Sequence, residues 1–262
     1  MPEGHTIHRL ARDLRTTLGD QPVHASSPQG RFGAGAALID GERIVRSDAW
    51  GKYLFVAMTG GQILHVHLGL IGKFRPIVAI DSAPRNTIRL RLANHSGGWD
   101  LTGPARCELV TPQERTAIVA QLGPDPLRRN ADVSGALHAL ARSARPIGAA
   151  LLDQRLIAGI GNVYRAEILF VCGIRPTRPA SSLDPSEIDH LWSETVRLMR
   201  IGMRRGMIVT TDPDEIGRSR GRMRSDDRLY VYHREHCRRC GTELVTVELG
   251  GRPISYCPVH QH

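Results

Sequence analysis

Ile157-Ala-Gly-Ile-Gly-Asn-Val-Tyr-Arg-Ala-Glu167 is the most informative stretch of this 262-residue chain. Its two glycines predict a turn directly before residues 162 to 171, whose apolar residues have helical spacing. Glycines at the start of a helix leave backbone amides exposed at its positive end, which suits an anion such as phosphate. A turn that only packs two helices together would look the same, so this stretch alone leaves both interpretations open.

Further helical patterns lie on both sides of this stretch, at residues 131 to 143, 146 to 157 and 185 to 205. On the N-terminal side the helical pattern stops at Leu122-Gly-Pro-Asp-Pro-Leu127, where two prolines indicate a linker between domains. On the C-terminal side, Asp212 to Arg228 mixes charged residues with Gly and Ser and predicts a mobile basic loop.

The chain before the linker has a different pattern. Five apolar residues at helical spacing predict an amphipathic helix near the N-terminus: Ile7, Leu10, Ala11, Leu14 and Leu18. From Val23 to about Leu109, short apolar runs alternate with Gly, Pro and Asn turns. The runs are Tyr53 to Met58, Ile63 to His67 and Ile88 to Leu92. This pattern predicts a mostly antiparallel β-sandwich or barrel.

Three of the five cysteines, Cys237, Cys240 and Cys257, cluster in the last part of the chain. With His260 they form a Cys-x-x-Cys and a Cys-x-x-His pair on either side of a predicted β-hairpin. Two such pairs supply the four donors of a tetrahedral zinc ion and leave no open position for water. We therefore expect one structural zinc ion. His260 has the best spacing for the fourth ligand, although three other histidines lie nearby: His233, His236 and His262.

The formal net charge of +9 and the isoelectric point near 9.9 describe a surface that attracts polyanions, most commonly nucleic acid. A basic protein without such a partner would have the same charge. Only two of the 35 basic residues, Lys52 and Lys73, are lysines, which makes each of them informative. The sequence has no apolar run of membrane-spanning length and no signal-peptide pattern, so we expect a cytoplasmic protein.

The N-terminus offers a candidate nucleophile. Pro2 is small enough to permit removal of Met1, which would leave a free secondary amine. An α-amino group titrates near about 8, so part of it is unprotonated at neutral pH and can attack an electrophilic sugar carbon. The resulting iminium would acidify the neighbouring carbon and drive loss of phosphate, and Glu3 is placed to move protons. Many proteins begin this way without a catalytic reason, so the tetrapeptide alone is a weak signal.

Five motifs occur in the order seen in the Fpg/Nei family of DNA glycosylases. They are Pro2-Glu-Gly4, His67-Leu-Gly-Leu-Ile-Gly72, the linker at 122 to 127, the stretch at 157 to 167 and the cysteine-rich hairpin. The chain resembles this family over essentially its whole length, especially the actinobacterial endonuclease VIII (Nei) branch. The resemblance implies an α+β multidomain fold. Its parts would be an N-terminal helix with an antiparallel β-sandwich (1–121), a helix-two-turns-helix domain (122–227) and a zinc-finger β-hairpin (228–262).

By position, Pro2 resembles the family's Schiff-base nucleophile and Glu3 its acid-base carboxylate. Lys52 resembles the β-hairpin lysine that contacts the lesion phosphate. One feature departs from the family. His5-Thr6 stands where many relatives carry Pro-Glu, so a second N-terminal carboxylate is missing.

Further residues resemble the DNA contacts of the family. Asn162, Arg252 and His67 match phosphate contacts. Leu70 matches the side chain that fills the gap left by the extruded nucleotide. Each has a plain structural alternative: a packing turn for Asn162, a solvated turn for Arg252, an ordinary strand residue for His67 and a core position for Leu70.

The resemblance implies a bifunctional glycosylase and lyase of base excision repair. It would excise oxidised pyrimidines through a Schiff base on Pro2 and cut the strand by β,δ-elimination. The same chemistry on oxidised purines such as 8-oxoguanine is the close alternative. A non-catalytic protein that binds damaged DNA and an RNA-binding zinc protein are alternatives of other classes. We expect a monomer that binds damaged DNA, has no membrane partner, and is cytoplasmic and nucleoid-associated when bound.

Overall fold

Residues 2–77, 83–129 and 131–262 are described by the computed structural model. They form two units, Met1–Gln121 and Leu122–His262. The third predicted domain, residues 228–262, lies inside the second unit, and its border at residue 228 stays a prediction. None of the helices in the described ranges has the length and apolar character needed to span a bilayer.

The first unit is a sandwich of two antiparallel sheets with a helix at its start. The predicted N-terminal helix is confirmed as α1, Gly4–Leu18. One sheet has the strand order β1 (His24–Ser26), β6 (Ile88–Asn94), β7 (Gly97–Thr102) and β5 (Lys73–Pro76). The other has the order β2 (Ile44–Trp50), β3 (Tyr53–Met58), β4 (Ile63–His67) and β8 (Arg106–Val110). The predicted strands are therefore present.

One apolar core fills this unit. Its fully buried side chains come from α1 and from both sheets: Leu14, Leu18, Leu54, Val56, Leu64, Val66, Leu90, Leu92 and Leu101. Burying each such aliphatic side chain contributes about 1.5–3 kcal/mol. The core residues on β3, β4 and β6 are two positions apart along each strand, so one face of each sheet is turned toward the shared core.

Two helices of this unit were not predicted, α2 (Gly33–Ile39) and α3 (Pro112–Ala120). Helix α3 buries none of its residues, so it has no apolar stripe from which to recognise it. It starts instead with a capping box, in which Glu114 N donates to the Thr111 hydroxyl (3.2 Å) and Thr111 N donates to the Glu114 carboxylate (2.7 Å).

The second unit is helical and ends in a two-stranded hairpin. Its helices are α4 (Ser134–Ala141), α5 (Ile147–Ala150), α6 (Asn162–Val171), α7 (Pro185–Arg205) and α8 (Pro213–Ile216). Its strands are β9 (Val245–Leu249) and β10 (Arg252–Tyr256). Three of the predicted helices are thus confirmed as α4, α6 and α7.

The predicted helix at 146 to 157 is wrong beyond Ala150. The chain turns at Asp153, whose carboxylate accepts a hydrogen bond from Arg155 N (3.0 Å). The next side chain, Gln154, accepts from Gly159 N (2.9 Å) and donates to the Ile160 carbonyl (3.0 Å). These bonds compete with helical ones and shape the turn that leads into α6. Gly159 has φ +99°, a conformation that favours glycine.

Helix α6 is buried on all sides, and its Arg165 holds the C-terminal hairpin. The fully buried guanidinium donates from Nη1 to the carbonyls of Gly148 and Leu249, both at 2.8 Å. Its Nη2 donates to the carbonyls of Arg252 (2.9 Å) and Pro253 (3.3 Å). One arginine thereby connects α5, α6 and both ends of the turn between β9 and β10.

Glu167 forms a second connection two residues further along α6. Its fully buried carboxylate accepts hydrogen bonds from the backbone amides of Tyr230 (2.8 Å), Val231 (2.9 Å) and Tyr232 (2.8 Å). It also accepts one from the Thr210 hydroxyl. A buried carboxylate is tolerated when donors surround it in this way, and it then orders the backbone that supplies them.

We predict that Glu167→Gln lowers the free energy of unfolding by about 2–4 kcal/mol, because the new amide group turns donors toward other donors. Urea unfolding of the whole chain measures this loss. Hydrogen exchange at Tyr230, Val231 and Tyr232 should accelerate in the same variant. The control is Glu248→Gln, an exposed strand position that should change neither quantity. Unchanged exchange in Glu167→Gln would contradict the proposed role of this carboxylate.

Candidate active site

Pro2 lies in a cleft of the first unit. The cleft has a volume of about 430 Å³ and is lined by Pro2, Thr6, Leu70, Ile71, Gly72 and Lys73. Clefts of about 300–1,000 Å³ are of the size that holds small-molecule ligands or single nucleotides. The structure therefore brings the predicted nucleophile and the predicted gap-filling residue to the same cleft. It also adds Lys73, whose only signal in the sequence was the scarcity of lysine.

Glu3 is fully buried and immediately precedes helix α1. Its carbonyl accepts the amide of Thr6 (2.9 Å), so its backbone is part of the first turn. Glu3 is therefore positioned by the fold beside the cleft that Pro2 lines.

His5 is buried as well, and burial lowers the pKa of its imidazole to about 3. A histidine with this pKa is neutral at physiological pH. An imidazole is never anionic in a protein, so His5 does not replace the missing N-terminal carboxylate.

Leu70 and Ile71 project from the loop between β4 and β5, with 57% and 78% of their surface exposed. The core alternative for Leu70 is thereby excluded. The loop bends at Gly69, which has φ +67°, and closes with a hydrogen bond from Gly72 N to the Leu68 carbonyl (3.0 Å). Ile71 was not predicted, although it is the more exposed of the pair. Two large apolar side chains kept in solvent indicate a surface that contacts a ligand.

Lys52 and His67 meet at the ends of neighbouring strands. Lys52 follows Gly51 in the turn between β2 and β3, and its carbonyl lies 3.1 Å from Nδ1 of His67. A carbonyl only accepts, so Nδ1 of His67 carries the proton in this bond. Nε2 is the ring atom that this hydrogen bond does not use.

Asn162 begins α6 and is only 7% exposed. Its Nδ2 donates to the Pro253 carbonyl (3.1 Å), next to Arg252 in the hairpin turn. Its Oδ1 is buried and has no hydrogen-bond partner within the described parts of the chain. The structure thus brings Asn162 to the backbone beside Arg252. Arg165, which holds the same backbone, was not predicted.

The sulfur atoms of Cys237, Cys240 and Cys257 lie within 4.8 Å of one another. The Sγ atoms of Cys240 and Cys257 are 3.6 Å apart. Zn–S bonds of about 2.3 Å in a tetrahedron separate two sulfur atoms by about 3.8 Å, so the three thiols fit a shared metal ion. Interactions with Thr242 lower the pKa of Cys240 to about 7, which favours the thiolate form that metals bind.

His260, the predicted fourth ligand, is not part of the group within 4.8 Å when the described residues are searched. Its Nε2 is buried and has no hydrogen-bond partner among those residues. Its ring packs edge-on against Phe170, with centroids 5.9 Å apart. Three metal-binding thiols are therefore brought together, and the fourth ligand stays a prediction.

Comparison with known proteins agrees with this arrangement. Residues 1–102 match the formamidopyrimidine-DNA glycosylase N-terminal domain, and residues 122–214 match the formamidopyrimidine-DNA glycosylase H2TH domain. The chain is 44% identical to "Endonuclease 8 1" of Mycobacterium tuberculosis, with all of both chains covered. It is 32% identical to the formamidopyrimidine-DNA glycosylase of Thermus thermophilus, with 100% of this chain and 97% of the relative covered.

A solved structure supports the fold. Lactococcus lactis Fpg (MutM), in a complex with DNA that contains N7-benzyl-Fapy-dG, matches with a TM-score of 0.81. The match covers 99% of each chain at 24% identity. The predicted α+β architecture is thereby confirmed. From these matches and the two domain families that span most of its length, the chain belongs to the Fpg/Nei family of DNA glycosylases, whose members also have AP lyase activity.

Proposed function

We propose that this chain is a bifunctional glycosylase and lyase that excises oxidised pyrimidines and uses the amine of Pro2 as its nucleophile. The observation that carries the proposal is the cleft in which Pro2 lies beside the exposed Leu70, with Glu3 buried at the adjacent helix start. The enzyme acts as a monomer on damaged DNA, in the cytoplasm and on the nucleoid.

The first bond changes occur at C1′ of the damaged nucleotide. Removal of Met1 converts the Pro2 nitrogen from an amide into a secondary amine with a usable lone pair. This nitrogen attacks C1′, and the damaged base departs with the electron pair of the glycosidic bond and takes up a proton. The sugar ring then opens when O4′ receives a proton from Glu3, which leaves an iminium between Pro2 and C1′.

Strand cleavage follows from the iminium, because it acidifies C2′. Loss of the C2′ proton breaks the C3′–O3′ bond and releases one phosphate, which is the β-elimination. A second elimination breaks the C5′–O5′ bond and releases the other phosphate. Water then hydrolyses the iminium and regenerates the Pro2 amine.

Other residues hold the substrate. Leu70 and Ile71 fill the gap in the base stack after the damaged nucleotide has left it, since apolar wedges partly restore the lost stacking. Lys52 and His67 bind the phosphates near the lesion. Asn162 and Arg252 bind backbone phosphates further along, and such contacts position DNA without reading its sequence.

Preference for oxidised pyrimidines is supported by the degree of similarity. The chain is 44% identical to Endonuclease 8 1 and 30–32% identical to formamidopyrimidine-DNA glycosylases, with all of this chain and 97–100% of each relative covered. The higher identity is to the endonuclease VIII branch, and resemblance to that branch implies excision of oxidised pyrimidines.

The cysteine group holds one structural zinc ion, with His260 as the fourth ligand. The donor set supports this proposal, because thiolates and an imidazole are the ligands that zinc prefers. The buried Nε2 of His260 lacks a partner among the described residues, which leaves this atom available as a ligand.

Borohydride trapping on abasic DNA tests the nucleophile. The processed wild-type protein should form a covalent adduct that peptide mapping places on Pro2. Pro2→Gly should lose most of the lyase rate, because a primary amine on a flexible residue is differently placed. A tag fused before Pro2 should abolish trapping, whereas the same tag at the C-terminus should not. Full trapping with the N-terminal tag would move the nucleophile elsewhere, with Lys52 as the next candidate.

Lesion preference is tested by side-by-side excision from duplexes that carry thymine glycol or 8-oxoguanine. We expect faster single-turnover excision of thymine glycol, while both duplexes should bind with similar dependence on salt. An abasic duplex serves as the control, because its cleavage needs no base recognition. Faster excision of 8-oxoguanine would overturn the pyrimidine assignment and leave the Pro2 chemistry intact.

Metal analysis tests the zinc site. We expect one equivalent of zinc per wild-type chain, none in Cys257→Ser and a reduced content in His260→Ala. Cys107→Ser is the matched control, since this cysteine lies in the first unit outside the group. Absence of zinc from folded and active protein would remove the claim. Full zinc content in His260→Ala would move the fourth ligand to another residue.

A further inference from the structure

A pocket of about 630 Å³ on the second unit is lined almost wholly by arginines. We call it the arginine pocket. Arg197, Arg204 and Arg205 come from one face of α7, and Arg220 comes from the segment that follows this helix. The remaining lining residue is Ile201, which is buried. The pocket is therefore lined by four arginines and one buried aliphatic side chain.

The segment that carries Arg220 has more local order than the predicted mobile basic loop. It contains α8 and a single turn of 3-10 helix at Ser225–Asp227. Asp227 accepts a hydrogen bond from Arg224 N (3.0 Å) and ion pairs from Arg218 (3.0 Å) and Arg238 (2.8 Å). Arg220 lies between these tethered residues, so its position over α7 is set by the fold.

Acidic groups balance only part of the charge around the pocket. Arg197 pairs with Glu194 (2.6 Å), and Asp212 also acts electrostatically on it. Neither Arg205 nor Arg220 has an ion-pair partner among the residues with described coordinates. Nε of Arg220 is buried there without a hydrogen-bond partner. Convergent cations with an unsatisfied donor indicate a site for an anion.

A structural explanation covers only part of this arrangement. Arg204 and Arg205 lie in the last turn of α7, where positive charge complements the helix dipole. That explanation does not account for Arg220, which belongs to another segment, lines the same pocket and has a buried Nε without a hydrogen-bond partner among the described residues. It also leaves Arg197 unexplained, because this residue lies two turns before the end of α7.

We propose that the arginine pocket binds a phosphate group of the DNA backbone, in addition to the contacts assigned to Lys52, His67, Asn162 and Arg252. The proposal rests on the proposed function as a DNA repair enzyme. Guanidinium groups bind phosphate oxygens through paired N–H donors. The contact carries no sequence information, so it extends the grip on DNA of any sequence.

The test compares binding of undamaged duplex DNA over a range of potassium chloride concentrations. Each phosphate contact adds about 0.9 to the slope of log affinity against log salt. Arg205→Ala/Arg220→Ala should reduce the slope by about 1 and weaken binding at low salt on the order of tenfold, equally for unrelated sequences. Arg205→Lys/Arg220→Lys should keep the slope, because the charges remain, and lose part of the affinity with the paired donors.

The matched control is Arg12→Ala/Arg31→Ala, which removes the same formal charge from exposed positions of the first unit and should leave the slope unchanged. Equal slopes for the pocket alanine variant and the wild type would overturn the proposal. So would an equal fall in the slope of the control, since net charge alone would then explain the effect.

Titration with inorganic phosphate at constant ionic strength shows whether the ligand of the pocket is a DNA phosphate or a free phosphate ion. Phosphate that binds the wild type and not the alanine variant, together with unchanged DNA slopes, would mean that the pocket serves a free anion and not DNA. Binding to undamaged DNA involves no bond cleavage. A failure of borohydride trapping on Pro2 would therefore contradict the proposed function without affecting the measured salt dependence of the arginine-pocket variants.

Discussion

The buried carboxylate of Glu167 is the constraint on which the second unit depends. A negative charge without solvent needs donors from every side, and it receives them from three consecutive amides at 230 to 232 and from the Thr210 hydroxyl. Thr210 precedes the arginine-rich segment and Tyr230 follows it, so one side chain ties down both ends of this segment. The same amides lead directly into the chain that carries Cys237. The hydrogen bonds of Glu167 on α6 therefore order two segments: the one that leads to the metal-binding thiols and the one that carries Arg220 of the arginine pocket.

The regular elements of the fold could be predicted, because their periodicity reports which face is buried. Helices α1, α6 and α7 and strands β3, β4 and β6 are of this kind. Helix α3 was missed because none of its residues is fully buried. Only Ile118 and Val119 pack partly against a small apolar cluster, and the capping box at Thr111 is the clearer signal. The region after Ala150 was predicted as helix because its apolar spacing continues, whereas the side chains of Asp153 and Gln154 divert the backbone into turns. The periodicity of apolar residues does not report hydrogen bonds between side chains and the backbone.

The candidate site was predictable where its chemistry needs a particular residue type at a fixed spacing, as for the three cysteines. Spacing could not place His260, because a fourth ligand depends on which way one ring turns. Arg165 was missed for a different reason. A charged residue inside an apolar helix shows its purpose only when the carbonyls that surround it are known. The sequence also could not show whether Leu70 is a core residue or a wedge, because this depends on the exposure of its side chain. The same exposure identifies Ile71 as a second candidate wedge.

The hold of Arg165 on the hairpin has a consequence for how this enzyme can change. All four carbonyls that it binds belong to the main chain, which every amino acid provides. The side chains at the tip of the hairpin are therefore not needed for these hydrogen bonds, which hold the tip in place. Substitutions there can alter how the protein meets its substrate while the scaffold stays the same. The tip is therefore the part of the hairpin at which substitutions are best tolerated, and it is the place to begin if DNA binding by this protein is to be redesigned.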